Sequence, residues 1–270
     1  MSHQHKKRFG QHFLKDAGIL QQIVGAAKLA PGEPVLEIGP GAGVLTEALL
    51  QAQVRVQAVE IDRDLCRELD RRFGQAPNFR LLEGDALKLP WTEILGEQEG
   101  WKLVANLPYN VSTPLFFKFV EQRQRFASLT LMLQKEVGDR LVDLGTGKGL
   151  KDYGILSVIA GLCFQVKKVC AVPPGAFVPP PKVDSVVLHL TPKPALAVPE
   201  AELFGFVRWG FEQRRKLLLS RLKRERPELA ERLEPAGVQA LEGLRPENLK
   251  PLEWLELYRQ VSPSVAGKSC

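Results

Sequence analysis

Asn106-Leu107-Pro108-Tyr109 follows an apolar run, Leu103-Val104-Ala105, so an amide, a proline without an N–H and an aromatic ring stand together where a strand ends. They leave hydrogen-bond acceptors pointing outward beside a flat ring. Such a surface suits a planar group that carries an amine, for example the exocyclic N6 of adenine. Taken alone, the tetrapeptide reads equally well as a proline turn after a strand.

Three further strand ends carry groups suited to an adenosine. In Glu37-Ile38-Gly39-Pro40-Gly41-Ala42-Gly43 a strand turns into a helix, and the glycines permit a tight turn and let a ligand reach the backbone. Glu60 ends the next strand, where an acid in a doubly wound sheet bonds ribose hydroxyls. Gly84-Asp85-Ala86 closes a third, where a side chain can meet an adenine edge. The spacing is G-x-G-x-G, not the G-x-G-x-x-G of dinucleotide sites, so an adenosine cofactor without phosphates is favoured. Gly145-Thr146-Gly147-Lys148-Gly149 is superficially similar to a phosphate loop. It lacks the Ser/Thr after the Lys and the helix that should follow at once, and it reads as a mobile surface loop.

Presenting these residues requires an ordered sheet. Periodicity predicts helices at 18–30, 44–50, 62–73, 114–124, near 135–144 and near 153–162. It predicts strands at 35–38, 54–59, 79–82, 102–105, 128–133, 165–172 and 185–190, the last two separated by a Pro-rich loop. Alternating strands and helices imply an α/β fold with a mostly parallel sheet covered on both faces. Thr191 to Pro199 has the composition of a linker, and only helical patterns follow it. The expected division is therefore a Rossmann-like domain with an N-terminal arm at 1–192 and a small helical domain at 199–270. There is no internal repeat.

A chain of 270 residues accommodates one large and one small domain. Hydrophobic content of 44% and charged content of 25% are those of a soluble globular protein. No segment approaches the roughly 18 uninterrupted apolar residues of a membrane span. The basic start, Met1 to Arg8, has no apolar signal core after it, so a cytoplasmic location is expected. Cys66, Cys163, Cys170 and Cys270 are scattered without ligand spacing, which argues against both a disulfide frame and a metal site. The net charge of +6 is concentrated in two places: Lys6, Lys7, Arg8 and Lys15, and then Arg208, Arg214, Arg215, Lys216, Arg221, Lys223, Arg224 and Arg226. Either cluster can be a solvated face or a grip on nucleic-acid phosphates.

With these motifs in order along nearly the whole chain, the sequence resembles the small-subunit (16S) rRNA adenine N6,N6-dimethyltransferases, the KsgA/RsmA group of S-adenosylmethionine-dependent enzymes. The resemblance is carried by Phe9-Gly10-Gln11-His12-Phe13-Leu14, the 37–43 glycine loop, Glu60-Ile61-Asp62, Gly84-Asp85-Ala86 and Asn106-Leu107-Pro108-Tyr109-Asn110. Met132 to Val137 and Phe177-Val178-Pro179-Pro180-Pro181-Lys182-Val183-Asp184-Ser185 complete it.

The resemblance implies that Gln11, His12 and Leu14 close over the methionine part of the cofactor. It implies that Gly39, Gly41 and Gly43 approach the cofactor through backbone, with Glu37 in support. Glu60 and Ile61 would hold the ribose, Asp85 and Ala86 the adenine, and Asn106 would face both methyl donor and target. His12 stands where relatives often carry Asn, and it can either titrate or simply pack.

The catalytic group implied is Asn106, Leu107, Pro108 and Tyr109, with Tyr109 on one face of a flipped-out adenine and Phe177 on the other, unless Phe177 is a hydrophobic plug. Lys6, Lys7, Arg8, Arg214, Arg215, Lys216, Arg221 and Lys223 are the implied RNA contacts. The partner the resemblance implies is 16S rRNA in an assembling small subunit, without a membrane or metal, and the chain is expected to act as a monomer. Three alternatives stay open: a large-subunit rRNA adenine methyltransferase of the antibiotic-resistance type, a non-catalytic assembly factor on the same scaffold, and, disfavoured by the glycine spacing, a nicotinamide dehydrogenase.

Overall fold

The computed structural model describes residues 12–142 and 153–262. In chain order its strands are β1 (Phe13–Leu14), β2 (Pro34–Ile38), β3 (Arg55–Glu60), β4 (Phe79–Glu83), β5 (Trp101–Asn106), β6 (Phe126–Gln134), β7 (Phe164–Val172), β8 (Phe177–Val178) and β9 (Ser185–Pro192). The helices between them are α1 (Ala17–Ala27), α2 (Val44–Gln51), α3 (Arg63–Phe73), α4 (Trp91–Leu95), α5 (Ser112–Glu121), α6 (Lys135–Val142) and α7 (Ile155–Cys163). After the strands come α8 (Glu200–Glu212), α9 (Leu218–Glu225), α10 (Pro227–Ala230), α11 (Pro235–Ala240) and α12 (Pro251–Val261).

Seven strands form one sheet in the order β4-β3-β2-β5-β6-β9-β7, a Rossmann-like α/β arrangement. The pairs from β4 through β6 are parallel, and β9 returns antiparallel to β6. The strand order reverses direction at β2 and β5, the switch point where such sheets bind ligands beyond their carboxyl ends. Val35, Val56, Val104, Met132 and Val187 pack on Ile19, Ile23, Leu45 and Leu49 of α1 and α2 to make the core on one face. Helix starts are marked by short acids: Asp16 accepts from the Ile19 N–H at 3.0 Å, and Asp62 from the Asp64 N–H at 3.0 Å. Gly43 opens α2 at φ 79°, and a Cβ there would meet the Phe73 ring at 2.7 Å, so both the turn and the packing require glycine.

The chain divides into two compact units that do not follow the continuous 1–192 boundary. Gln165–Pro192 goes with the described residues up to Gly138, whereas Asp139–Phe164 goes with the region from Lys193 onward. The reason lies in α7, which is buried from Leu156 to Cys163 and packs against α8 and α12. In that helical unit Tyr153 donates to the Leu249 carbonyl at 2.6 Å, and Phe206, Phe211, Trp254 and Tyr258 form a connected aromatic core. No helix among the described residues is long and apolar enough to cross a membrane.

Candidate active site

A cavity of about 320 Å³ opens beyond the carboxyl ends of β2, β3, β4 and β5. The structure brings His12, Leu14, Glu37, Gly39, Gly41, Glu60, Ile61, Asp85, Ala86, Asn106, Leu107, Pro108 and Tyr109 to its wall. Gln11, Lys6, Lys7 and Arg8 lie outside the described residues, as does the 145–149 loop.

Among the described residues Glu37 and Glu60 have no cation beside them, whereas Asp85 has the Lys88 ammonium at 3.9 Å. Glu60 is 5% exposed; its Oε1 accepts the Ile61 and Asp62 N–H groups at 2.9 Å each, and its Oε2 accepts the Gly41 N–H at 3.1 Å. It thereby ties the glycine loop to the end of β3. Burial raises its carboxyl, and those backbone donors oppose the rise. Glu37, 1% exposed, receives the Thr46 hydroxyl at 2.7 Å on Oε2. Its Oε1 is buried with no hydrogen-bond partner among the described residues. Burial pushes this carboxyl up to about 8, and the neighbouring Glu60 charge adds to the rise. Asp85 turns its own chain by accepting the Leu87 N–H at 2.9 Å.

These residues fit an adenosine-bearing cation. The buried Glu37 oxygen without a partner leaves a hydrogen bond to be made to a ligand, and Glu60 and Asp85 offer carboxyl oxygens at two strand ends. Ile61, 46% exposed, offers an apolar surface beside them for a ring face. The glycine loop is tightly covered as well: a Cβ at Gly41, where φ is 58°, would meet the Phe13 ring at 2.8 Å.

At the end of β5 the Asn106 Nδ2 donates to the His12 carbonyl at 3.2 Å, which turns Oδ1 away as an acceptor. The Leu107 N–H donates to the Met132 carbonyl at 3.1 Å, and no backbone N–H among the described residues takes the Leu107 carbonyl. Two acceptors therefore stand at the strand end. The Tyr109 ring stacks on His12, with centroids 5.5 Å apart and planes at 30°, and its hydroxyl meets Ser185 Oγ at 2.6 Å. Burial raises the Tyr109 phenol, so it is neutral in the physiological range.

Ser185 is the contributor that sequence reading passed over. It stands inside the quoted 177–185 motif, at the first position of β9, yet had no role there. Phe13 and Thr46, which cover Gly41 and bond Glu37, were equally silent.

Two expectations are corrected. Phe177 is 1% exposed and belongs to the core cluster with Leu14, Val172 and Ala176, because β8 pairs with β1 and turns the ring inward. It is the plug, not the second stacking face. Arg221 is 3% exposed, bonded to Glu212 at 3.0 Å and Glu225 at 2.7 Å, and lies 4.6 Å from the Trp209 ring centroid. It is a structural cation unavailable to phosphates. Arg214 is half-buried in an ion pair with Glu247, while Arg215, Lys216 and Lys223 are exposed. Among the described residues no group of three or more His, Cys, Asp or Glu is arranged to hold a metal ion.

Comparison with known proteins gives a consistent result. A family model described as ribosomal RNA adenine dimethylase matches residues 2–259. A ribosomal RNA small subunit methyltransferase A from Syntrophotalea carbinolica is 47% identical over 225 residues, covering 82% of this chain and 83% of that protein. The protein of the same name from Pseudomonas putida is 41% identical over 263 residues, covering 96% of each. Among solved structures, a dimethyladenosine transferase from Plasmodium falciparum superposes with TM-score 0.75 at 31% identity, covering 91% of this chain and 96% of that one. The 23S rRNA methyltransferase ErmE gives TM-score 0.68 at 26% identity, covering 92% and 99%.

Proposed function

Because the chain belongs to the ribosomal RNA adenine dimethylase family, we propose that it transfers methyl groups from S-adenosylmethionine to the N6 of two adjacent adenosines near the 3′ end of 16S rRNA. It is an rRNA methyltransferase of the small-subunit type. The identity of 41–47% to small-subunit enzymes, against 26% to the 23S enzyme, supports that choice over the large-subunit alternative. The substrate is read as an assembling small subunit and the acting species as a monomer.

The observation that carries the site assignment is the Asn106 amide, whose Nδ2 is already spent on His12. When bound, S-adenosylmethionine supplies a methyl group made electrophilic by its sulfonium. Glu60 and Ile61 would hold its ribose, Asp85 and Ala86 its adenine, and the glycine loop with Glu37, His12 and Leu14 its methionine part. Gln11 is assigned the same duty from sequence alone.

The adenine N6 lone pair is delocalised into the ring, so the amine is a weak nucleophile and alignment at roughly 3–3.5 Å is the main contribution the protein makes. Asn106 Oδ1 and the Leu107 carbonyl accept the N6 hydrogens. As N6 gains positive charge these acceptors bind it more strongly than before, which stabilises the transition state. Pro108 contributes no competing donor, and Tyr109 stacks on the base. No dedicated side-chain base is needed, because the N6 proton becomes acidic only once the methyl has arrived. Arg215, Lys216 and Lys223 are the phosphate contacts this reading retains in the helical unit, with Lys6, Lys7 and Arg8 assigned from sequence.

Incubation with labelled S-adenosylmethionine and either undermethylated small-subunit particles or large-subunit RNA, followed by mapping of the label, tests the reading. Label on adjacent small-subunit adenosines is expected. Label confined to large-subunit RNA overturns it. Asn106→Ala should lower turnover by about 10²–10³-fold.

A further inference from the structure

We propose that His12 is the positioning residue of the acceptor pair: its imidazole anchors the arm to the proline-rich loop, and so holds its own backbone carbonyl where it orients the Asn106 amide. The inference rests on the reading of Asn106 given under Proposed function.

The geometry follows from a short antiparallel pair. Phe13 faces Val178 and Leu14 faces Phe177 across β1 and β8, so His12 falls opposite Pro179. The Lys15 N–H bonds the Ala176 carbonyl at 2.9 Å, so Phe13 and Val178 are the hydrogen-bonded pair and His12 stands at a non-hydrogen-bonded position, its carbonyl turned away from β8. Two side-chain bonds complete the arrangement. The His12 ring takes the free Pro179 carbonyl through Nδ1 at 2.8 Å, which fixes the tautomer with a proton on Nδ1. The His12 carbonyl, left without a ladder partner, receives Asn106 Nδ2 at 3.2 Å.

An asparagine amide has two flat orientations that differ in which atom faces outward. With the His12 carbonyl in place, one orientation makes a hydrogen bond and the other sets two oxygens against each other. The carbonyl therefore selects the orientation in which Oδ1 accepts. Turned the other way, the amide presents N–H donors to an amine and the acceptor pair is lost. The ring also lies against Tyr109, centroids 5.5 Å apart, so it covers one face of that ring and leaves the opposite face to a base.

Anchor and stack separate by substitution. Asparagine places an N–H donor at the same bond distance from the backbone as Nδ1, and so keeps the anchor without the ring. Phenylalanine keeps the ring without the anchor, and alanine has neither. The measurements are the single-turnover methyl-transfer rate on small-subunit particles, S-adenosylmethionine affinity by calorimetry, and the melting temperature.

His12→Ala and His12→Phe are expected to lose about 100-fold in rate. That loss should exceed any fall in cofactor affinity by at least about tenfold. His12→Asn should recover the rate to within about tenfold of the native protein. The proposal is overturned if His12→Asn is as slow as His12→Ala, if all three variants transfer at the native rate, or if only the melting temperature changes. Asn106→Ala run in parallel separates the two readings. A fast Asn106→Ala removes the acceptor pair itself; a slow Asn106→Ala with a fast His12→Ala removes only the role of His12.

Discussion

In the sheet-bearing unit Glu37 and Glu60 are buried among backbone and hydroxyl donors, and both carboxyls rise, Glu37 to about 8. In the helical unit Glu225 sits beside Arg224 and Arg221 and is held down at about 2. The same residue type is thus left electrostatically unsatisfied in one region and over-satisfied in the other. Dissatisfaction marks a place left open to a ligand, since desolvation is tolerated only where a ligand or the fold offsets it. Saturation marks a place that holds the fold together. The arginines divide in the same way, with Arg221 consumed by its neighbours while Arg215, Lys216 and Lys223 face solvent.

The sharpest way to break this comparison is at Arg221. Its guanidinium bridges Glu212, Glu225 and the carbonyls of Trp209 and Gly210. Arg221→Ala leaves the Trp209 and Gly210 carbonyls without their donor and should cost about 2–4 kcal/mol in urea unfolding. A change below about 1 kcal/mol would place Arg221 with the surface cations and dissolve the contrast.

A smaller effect is expected at Glu37. Between 4.5 and about 8 the folded protein keeps a proton that the unfolded chain releases. The contribution of Glu37 to stability without ligand should therefore be greatest below 4.5, fall as pH rises through that window, and level off above it. Glu37→Gln should remove the Glu37 share of that fall, leaving the slope Glu60 contributes with the same sign and the opposite slope of His189, whose imidazole is lowered by burial. Equal slopes in both proteins would mean that Glu37 is already ionised in the folded protein and that burial does not raise its carboxyl.

The smallest effect concerns the exposed cations. Replacing Arg215, Lys216 and Lys223 by Ala should leave folding intact and reduce the salt dependence of RNA binding, by about 0.7–0.9 in log–log slope for each phosphate no longer neutralised. An unchanged slope would remove the helical unit from the RNA-binding reading.

The succession of strands and helices along the chain and the residues at the strand ends were legible because both depend on local periodicity. Glu60 at the end of β3 and Asn106 at the end of β5 needed only a strand and a turn to be placed. What was not legible depends on partners distant in sequence. The inward turn of Phe177 follows from a two-residue pairing with Phe13 and Leu14. Arg221 lies in a run of basic residues, and nothing in that run marks the one that folds under Trp209. Asp139–Phe164 reads as a continuation of the alternating pattern and packs instead with the later helices, because α7 is apolar on every side.

The two oxygens at the end of β5 can also act as a gauge of how far the substrate has been modified. An untouched adenine amine carries two hydrogens, on the proposed assignment one for Asn106 Oδ1 and one for the Leu107 carbonyl. After one transfer a single hydrogen remains, and after two there is none. Each methylation thus removes one tie between base and enzyme, so the finished nucleotide is the form the site holds least. Arrest after two transfers and departure of the product both follow from the depletion of a single donor group.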